Sequence, residues 1–112
     1  MTAYPAHPAL RMRRACTILA NEYDLPFNAG EDCGSIFDGT ERYMLVESNR
    51  RGSSPPNWVT YHDSPDDAAD YNVNQEYAED WEVDAIFDLD RPPSRARLHG
   101  YIVTAARWVD YG

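Results

Sequence analysis

Eleven carboxylates and no arginine fall between Asp63 and Asp90, and the side chains of this acidic segment are the first candidates for a function. The rest of the chain carries ten arginines against eight acids, so this one segment gives the protein its formal charge of -9. Outward carboxylates can attract a basic protein surface or stand in for the phosphates of a nucleic acid. Direct binding of nucleic acid is not expected, because phosphate contacts need a basic footprint.

The segment ends in the string AIFDLD at residues 85–90, where two carboxylates follow a hydrophobic stretch. This string resembles the first motif of the haloacid dehalogenase-like phosphatases, in which the first Asp is the nucleophile and the second the general acid/base. The resemblance implies a metal-dependent phosphohydrolase using Asp88 and Asp90 as an alternative function. The family continues with Gly-Thr, whereas an Arg-Pro pair follows here. An edge strand in which Asp88 pairs with Arg97, and Asp90 with Arg95, is the favoured interpretation.

Histidines and cysteines lack the spacing of a metal or catalytic site. The sequence has no Cys-x-x-Cys, His-x-x-x-His or Glu-x-x-His pair, and no glycine-rich phosphate loop. His62 beside Asp63 could act as a base with an orienting carboxylate, but a lone histidine at a strand end is the favoured interpretation. We therefore predict no catalytic residue, no metal ligand and no cofactor, with Cys16 and Cys33 reduced.

Length and composition predict a single globular domain over residues 1–112. The chain is 43% hydrophobic and 26% charged, which is typical of a folded soluble protein. Its longest mostly apolar run, residues 101–106 with Thr104 within it, is much shorter than the roughly 18 residues of a membrane span. No secretory signal is visible. We expect a cytoplasmic protein without membrane contact.

The first predicted helix lies near the N-terminus, after Pro5 and Pro8, and has about four turns. It ends before Pro26, which cannot continue a helix. Apolar residues at three- and four-residue spacing define its expected buried stripe. This stripe consists of Met12, Cys16, Leu19 and Tyr23.

The second predicted helix has the clearest start signal. Ser64 is suited to the N-cap, Pro65 to the first helical position and Asp67 to the capping box. Acidic residues in the first turn also favour the positive end of the helix dipole. The expected buried stripe is Ala69, Val73 and Tyr77.

Strands are predicted from short apolar runs and from alternation. The Asp-Gly turn at 38–39 joins runs 35–37 and 43–46 as a hairpin, and 58–61 forms a third strand. Residues 81–90 alternate, with one apolar and one acidic face. Turn 91–94 leads to a last strand.

The proposed register of the last strand pairs polar with polar and apolar with apolar residues. It sets Asp90 opposite Arg95, Phe87 opposite Leu98 and Val83 opposite Ile102. Residues 101–109 could alternatively form a short helix. The predicted fold class is α+β, an antiparallel sheet of four or five strands with two helices on one face.

Aromatic residues extend the predicted binding surface, because Tyr and Trp bury a large area at interfaces while keeping a polar group. Same-face residues on a strand are about 6.6 Å apart. Carboxylates of the predicted strand would therefore form a row of charges, made of Glu82, Asp84, Asp88 and Asp90. The predicted partner-binding residues are Asp66, Asp67, Asp70, Tyr71, Glu82, Asp84 and Trp108.

An acidic chain without lysine, with SPDDAA opening a helix at 64–69 and WEVDAIFDLD as the next strand at 81–90, resembles the small accessory proteins of actinobacterial phages and prophages. The resemblance covers residues 40–100 and implies a non-enzymatic protein that binds and modulates or inhibits a host protein in the bacterial cytoplasm. We expect that partner to have a basic surface, and the acidic face to act as a protein-docking surface or nucleic-acid mimic. The alternative is a homo-oligomeric structural protein that associates through an open sheet edge.

Overall fold

A computed structural model describes residues 7–23, 39–52, 57–103 and 107–110. Residues 100–103 and 107–110 are described in their backbone only. Two helices and five strands are defined in these residues. They are α1 Pro8–Tyr23, β1 Tyr43–Asn49, β2 Asn57–His62, α2 Pro65–Asn74, β3 Trp81–Asp88, β4 Gly100–Val103 and β5 Arg107–Asp110. Single 3-10 turns precede β3 and follow it, at Ala78–Asp80 and Pro93–Arg95.

The main sheet has three antiparallel strands in the order β2-β1-β3. The α+β class is therefore confirmed, while the four or five strands expected in one sheet are too many. The remaining two strands, β4 and β5, pair with each other as a separate hairpin. This settles the ambiguity at 101–109 in favour of strand for the described residues. The other half of the predicted hairpin, residues 35–37, lies outside the described residues.

The two helices pack on opposite faces of the sheet rather than on one face. Met44 and Val46 of β1 join a core cluster with Ile18 and Leu19 of α1. Leu45, between them in sequence, packs instead with Ala68 of α2. Because neighbouring strand residues point to opposite faces, the continuous apolar run in β1 requires a cover on both sides.

In α1 the buried face differs from the predicted stripe. Ala15, Ile18 and Leu19 are buried, whereas Met12 is 39% exposed. The fourth buried residue is Arg11, whose guanidinium is neutralised by a carboxylate. Leu19 of the predicted stripe is buried, and Cys16 and Tyr23 pack against the core, so the prediction fails only at Met12. A buried charge interrupts the apolar periodicity, and the pattern alone therefore misses Arg11 on the buried face.

Helix α2 begins as predicted. The Ser64 side chain accepts a hydrogen bond of 3.0 Å from the Asp67 backbone N–H, and Pro65 occupies the first turn. Its buried residues are Ala68, Ala69 and Asn72, so only Ala69 of the predicted stripe is correct. Val73 lies within the helix but is 41% exposed, because the buried side runs through Ala68 and Asn72. Tyr77 is 63% exposed and lies beyond the end of the helix at Asn74.

The segment after β3 pairs one residue away from the predicted register. Phe87 lies opposite Arg97 instead of Leu98, in an isolated bridge. The Arg97 guanidinium lies 5.1 Å from the centre of the Phe87 ring, so its side chain covers the aromatic face. Val83, expected to pair with the last strand, pairs with Glu47 of β1.

Candidate functional site: an acidic helix beside an aromatic pocket

The predicted row of four outward carboxylates does not exist, because two of its members lie in a cluster of arginines. Asp88 is 1% exposed, and Arg42 donates two hydrogen bonds of 2.8 Å to its carboxylate. Arg91 approaches the same carboxylate at 3.1 Å. Arg97, its predicted partner, pairs with Glu22 instead. The alternation predicted for β3 fails here, since its last four residues are buried on both faces of the sheet.

Asp90 is the second carboxylate in this cluster of arginines. Arg11 donates to both of its carboxylate oxygens, at 2.7 and 3.2 Å, and donates further to the Gly39 and Thr40 carbonyls. Such bidentate pairs are strong and geometrically specific. The cluster therefore joins α1 to the end of β3. These contacts are structural, because a phosphatase nucleophile at Asp88 would need a carboxylate open to substrate and metal.

The remaining acidic residues are divided between the two faces of the sheet. Trp81 and Val83 point toward α2, so Glu82 and Asp84 point toward the α1 side. Asp84 accepts a hydrogen bond from the hydroxyl of Tyr23 in α1, which together with burial raises the pKa of that tyrosine. Glu82 lies 4.0 Å from Arg50. Both predicted residues are exposed, but they do not share a surface with the acids of α2.

Three predicted carboxylates, Asp66, Asp67 and Asp70, are exposed on the outer side of α2. They lie within about one turn, opposite the buried side of the helix. The Asn74 side chain donates to Asp70, at 2.8 Å. No residue of α2 is basic. The structure thus brings these three predicted residues together as one acidic stripe, hereafter the α2 stripe.

Tyr71, predicted as an exposed contact residue, is half-buried. Its ring lies 5.2 Å from that of His62. Burial raises the pKa of its hydroxyl, and the interaction with the Trp58 side chain acts in the opposite direction. His62 contacts the Thr60 hydroxyl at 2.7 Å, and burial lowers the pKa of its imidazole. The predicted contact residue Trp108 belongs to β5 in its backbone, and its side chain lies outside the described residues.

An open cavity of about 450 Å³ lies beside the α2 stripe. Its size falls within the usual range for small-ligand pockets. The indoles of Trp58 and Trp81 have centroids 6.4 Å apart and planes inclined by 55°. Tyr77 stands at the rim with a left-handed backbone, φ 63°, which is uncommon for a residue other than glycine. The cavity, hereafter the aromatic pocket, is lined by Trp58, Tyr71, Gln75, Glu76, Tyr77 and Trp81.

Glu47 is a fully buried acid next to this pocket. It lies opposite Trp58 in the β1–β2 pair, and Asn49, two residues along the same face, lies opposite Trp81. Its Oε2 accepts hydrogen bonds from the side-chain amides of Asn72, at 2.6 Å, and Gln75. Its Oε1 has no hydrogen-bond partner within the described part of the chain. Burial raises the pKa of Glu47, while the two amides act in the opposite direction.

Sequence reasoning missed this pocket. The sequence pattern places Trp58 and Trp81 in two strands and Tyr77 on a helix face, and it does not indicate that the three residues lie close together. One signal was available: Glu47 interrupts an apolar strand at a position that must face a helix. A buried acid needs hydrogen-bond partners, and it therefore marks a polar or functional spot in the core.

A larger groove of about 900 Å³ lies on the α1 side and has the opposite electrostatic character. Its basic lining comprises Arg91, Arg95, Arg97 and His99. Two of these charges are already paired, Arg91 with Asp88 and Arg97 with Glu22. The groove is consequently less distinctive as a ligand site than the aromatic pocket.

The described residues also limit other functions. No three His, Cys, Asp or Glu side chains among them are arranged to hold a metal ion. No described helix combines the length and the apolar character that a membrane crossing needs. Comparison of the chain with known protein families, curated proteins and solved structures finds no significant match.

Proposed function

We propose that the protein is a non-enzymatic binding module that docks a basic protein surface on its α2 side. The observation that supports this proposal is that the α2 stripe and the aromatic pocket share one helix, since Tyr71, one turn after Asp67, lines the pocket. Carboxylates and large aromatic rings serve different purposes at an interface. Charges steer the partner and set specificity, while buried aromatic anchors supply most of the affinity.

The electrostatic part of the proposal rests on Asp66, Asp67 and Asp70. Each is exposed, so each carboxylate remains hydrated and its attraction for one partner charge is only about 1 kcal/mol at 4 Å in water. Three such charges on a helix without basic residues add up to a local field. Association should therefore be faster at low salt and weaken as the ionic strength rises.

The resemblance to phage accessory proteins favours a bacterial host protein as the partner, and the cytoplasm as the place of contact. Nucleic-acid mimicry has less support than a general basic docking surface. Its row of charges needed Asp88 and Asp90, which are enclosed by arginines.

A pair of charge-matched baits tests the docking proposal. One carries Asp66→Asn, Asp67→Asn and Asp70→Asn. The control carries Glu22→Gln, Glu82→Gln and Asp84→Asn, which remove the same charge from exposed positions on the α1 side. Each bait captures proteins from a bacterial lysate, and every protein retained by the wild type is purified for affinity measurement.

We expect the α2 bait to lose a partner that the wild type and the control bait both retain. Its affinity for the wild type should fall steeply between low salt and about 0.5 M salt, where the Debye length shrinks to a few ångströms. Loss of the partner with the control bait alone, or equal retention by all three baits, would refute docking on the α2 side.

Self-association is a second candidate, favoured by the segregation of charge. The α2 stripe is acidic, whereas the groove on the opposite side carries Arg95 and His99 among its lining residues. One copy could place its stripe in the groove of another, as a head-to-tail contact. Sedimentation at low salt would then show a mass above 12.8 kDa that rises with concentration. A constant monomer mass would exclude it.

A further inference from the structure

The aromatic pocket has a composition that a general basic docking surface does not require. Exposed arginines or lysines of a partner could pair with the α2 stripe without entering any cavity. We propose that the aromatic pocket binds an alkylated ammonium group, such as the head of a quaternary ammonium compound or of a trimethylated lysine. This inference stands independently of the docking proposal, because it rests on the pocket alone.

The walls of the pocket are set by the sheet. Trp58 in β2 and Trp81 in β3 lie on either side of β1, with their side chains on the α2 face. Their centroids are 6.4 Å apart, so the two indoles pack against each other as a tilted pair, and both line the cavity. Tyr71 of α2 lines the same cavity as Trp58. Packing of the two indoles against each other restricts their motion before any ligand arrives, which reduces the entropic cost of binding.

The electrostatics of the pocket favour a cation. Aromatic faces carry partial negative charge and attract cations within about 6 Å of the ring centre. Glu76 adds a carboxylate to the lining. Beneath it, the buried Glu47 is hydrogen-bonded to Gln75, which itself lines the pocket. Within the described chain the carboxylate of Glu47 forms hydrogen bonds to amides and no ion pair.

The chemistry of the lining selects an alkylated ammonium over other cations. A primary ammonium brings three N–H donors that need acceptors once water is removed. The indole walls of Trp58 and Trp81 offer no acceptor, so a primary ammonium would depend on the Glu76 carboxylate, the Gln75 side-chain oxygen and the tyrosine hydroxyls. A quaternary ammonium has no N–H and spreads its charge over methyl groups, which match aromatic walls. The lining also lacks the cluster of oxygen ligands that a divalent metal needs.

Titration with choline and with its neutral isostere 3,3-dimethylbutan-1-ol tests the proposal. Both probes have the same shape, and only choline is charged. Calorimetry or tryptophan fluorescence of the full chain should show choline binding about tenfold tighter or more, as expected for a partly desolvated cation–π site. Equal affinity for the two probes would overturn the proposal, because it would show hydrophobic contact only.

Variants at the rim test the location of the site without disturbing the fold. Tyr77→Leu keeps an apolar side chain at an exposed position and should weaken choline binding several-fold. Glu76→Gln should weaken it as well, whereas Glu79→Gln, an equal charge change outside the lining, should leave it unchanged. Choline affinity that is unaffected by both Tyr77→Leu and Glu76→Gln would place the binding elsewhere and refute the assignment.

A third probe distinguishes the source of the cation. A short peptide with one trimethyl-lysine is compared with the same peptide carrying unmodified lysine. Selective binding of the methylated peptide supports a protein-borne cation, and choline binding alone supports a free small molecule. Binding of neither choline nor the methylated peptide would overturn the proposal, while the result with the charge-matched baits would still stand.

Discussion

Two regions of the sheet bury carboxylates in different ways. At the end of β3, Asp88 and Asp90 are surrounded by guanidinium groups from Arg11, Arg42 and Arg91. In β1, Glu47 is equally inaccessible but is held by two amides. Guanidinium partners neutralise a buried charge, whereas amides only solvate it. The first region is therefore closed by ion pairs, whereas the second holds an acid without a counter-charge beside a cavity.

This contrast distinguishes the two kinds of buried acid more clearly than their positions in the sequence do. All three acids lie in or directly after apolar strands. The acids resembling a catalytic motif are the ones with complete charge pairing. The acid without a motif is the one with an unsatisfied oxygen next to a pocket.

The largest expected effect is at Asp90. Asp90→Asn leaves the buried Arg11 guanidinium without its counter-charge, and should cost about 3 kcal/mol of unfolding free energy. Adding Arg11→Met should recover part of this loss, because the stranded charge is then removed. Urea unfolding of both single variants and the double variant measures the coupling. Additive losses would show that Arg11 and Asp90 are not energetically coupled, and would contradict the view that this ion pair stabilises the end of β3.

The second effect is a pH dependence at Glu47. Burial raises its pKa in the folded state, so the folded protein holds this proton more tightly than the unfolded chain. The stability that Glu47 contributes is therefore present below its ordinary pKa and is lost as the pH rises through the folded-state pKa. Glu47→Gln does not titrate, so the stability of the variant relative to the wild type should increase from acid to neutral pH.

Unfolding by urea at about pH 4 and about pH 8 measures this difference, on either side of the ordinary glutamate range. Glu76→Gln is the exposed control and should stay within about 0.5 kcal/mol of the wild type at both values. If the difference in unfolding free energy between Glu47→Gln and the wild type were the same at both pH values, the pKa of Glu47 would not be raised by folding, and the prediction would be wrong.

The third effect concerns the attachment of α2, which packs on the sheet through Ala68. Ser64→Ala removes the cap that accepts from the Asp67 N–H and should cost about 1 kcal/mol. Ser94→Ala on an exposed turn is the control and should be near neutral. Thermal unfolding checks both, and a neutral Ser64→Ala would show that packing alone fixes the start of α2.

The smallest effect is expected for the exposed pair between Arg97 and Glu22. The two groups are 2.8 Å apart, yet their side chains are 42% and 36% exposed. Glu22→Gln should cost no more than about 0.5 kcal/mol, because water screens such pairs. Comparison with Asp90→Asn isolates the contribution of burial. Equal losses for the two variants, in the same urea experiment, would contradict the view that burial gives the Asp90 pair its importance.

Local signals in the sequence predicted local structure well. The cap at Ser64 and the strands around Leu45 and Val59 depend on neighbouring residues, and the structure confirms them. The buried side of α1 depends on Arg11 finding Asp90, 79 positions away, which periodicity cannot encode. The predicted stripe is therefore correct at Leu19, Cys16 and Tyr23, which contact the core, and fails at the exposed Met12.

The site was predictable only in part, for the same reason. The α2 stripe follows from helix spacing and was correctly grouped. The aromatic pocket arises from pairing of β1 with both neighbours, which brings Trp58 and Trp81 together above Glu47. No local sequence pattern predicts that these two tryptophans lie next to each other. The same pairing places Glu82 and Asp84 on the face of the sheet opposite to the α2 acids.

The backbone at Tyr77 has an evolutionary consequence. A left-handed conformation costs a residue with a side chain about 1–2 kcal/mol, and glycine would avoid that cost. Tyr77→Gly would thus be a simple route to a more robust fold, at the expense of an aromatic ring at the rim. Selection for thermal robustness alone should favour glycine at this position, and selection for ligand capture should retain tyrosine.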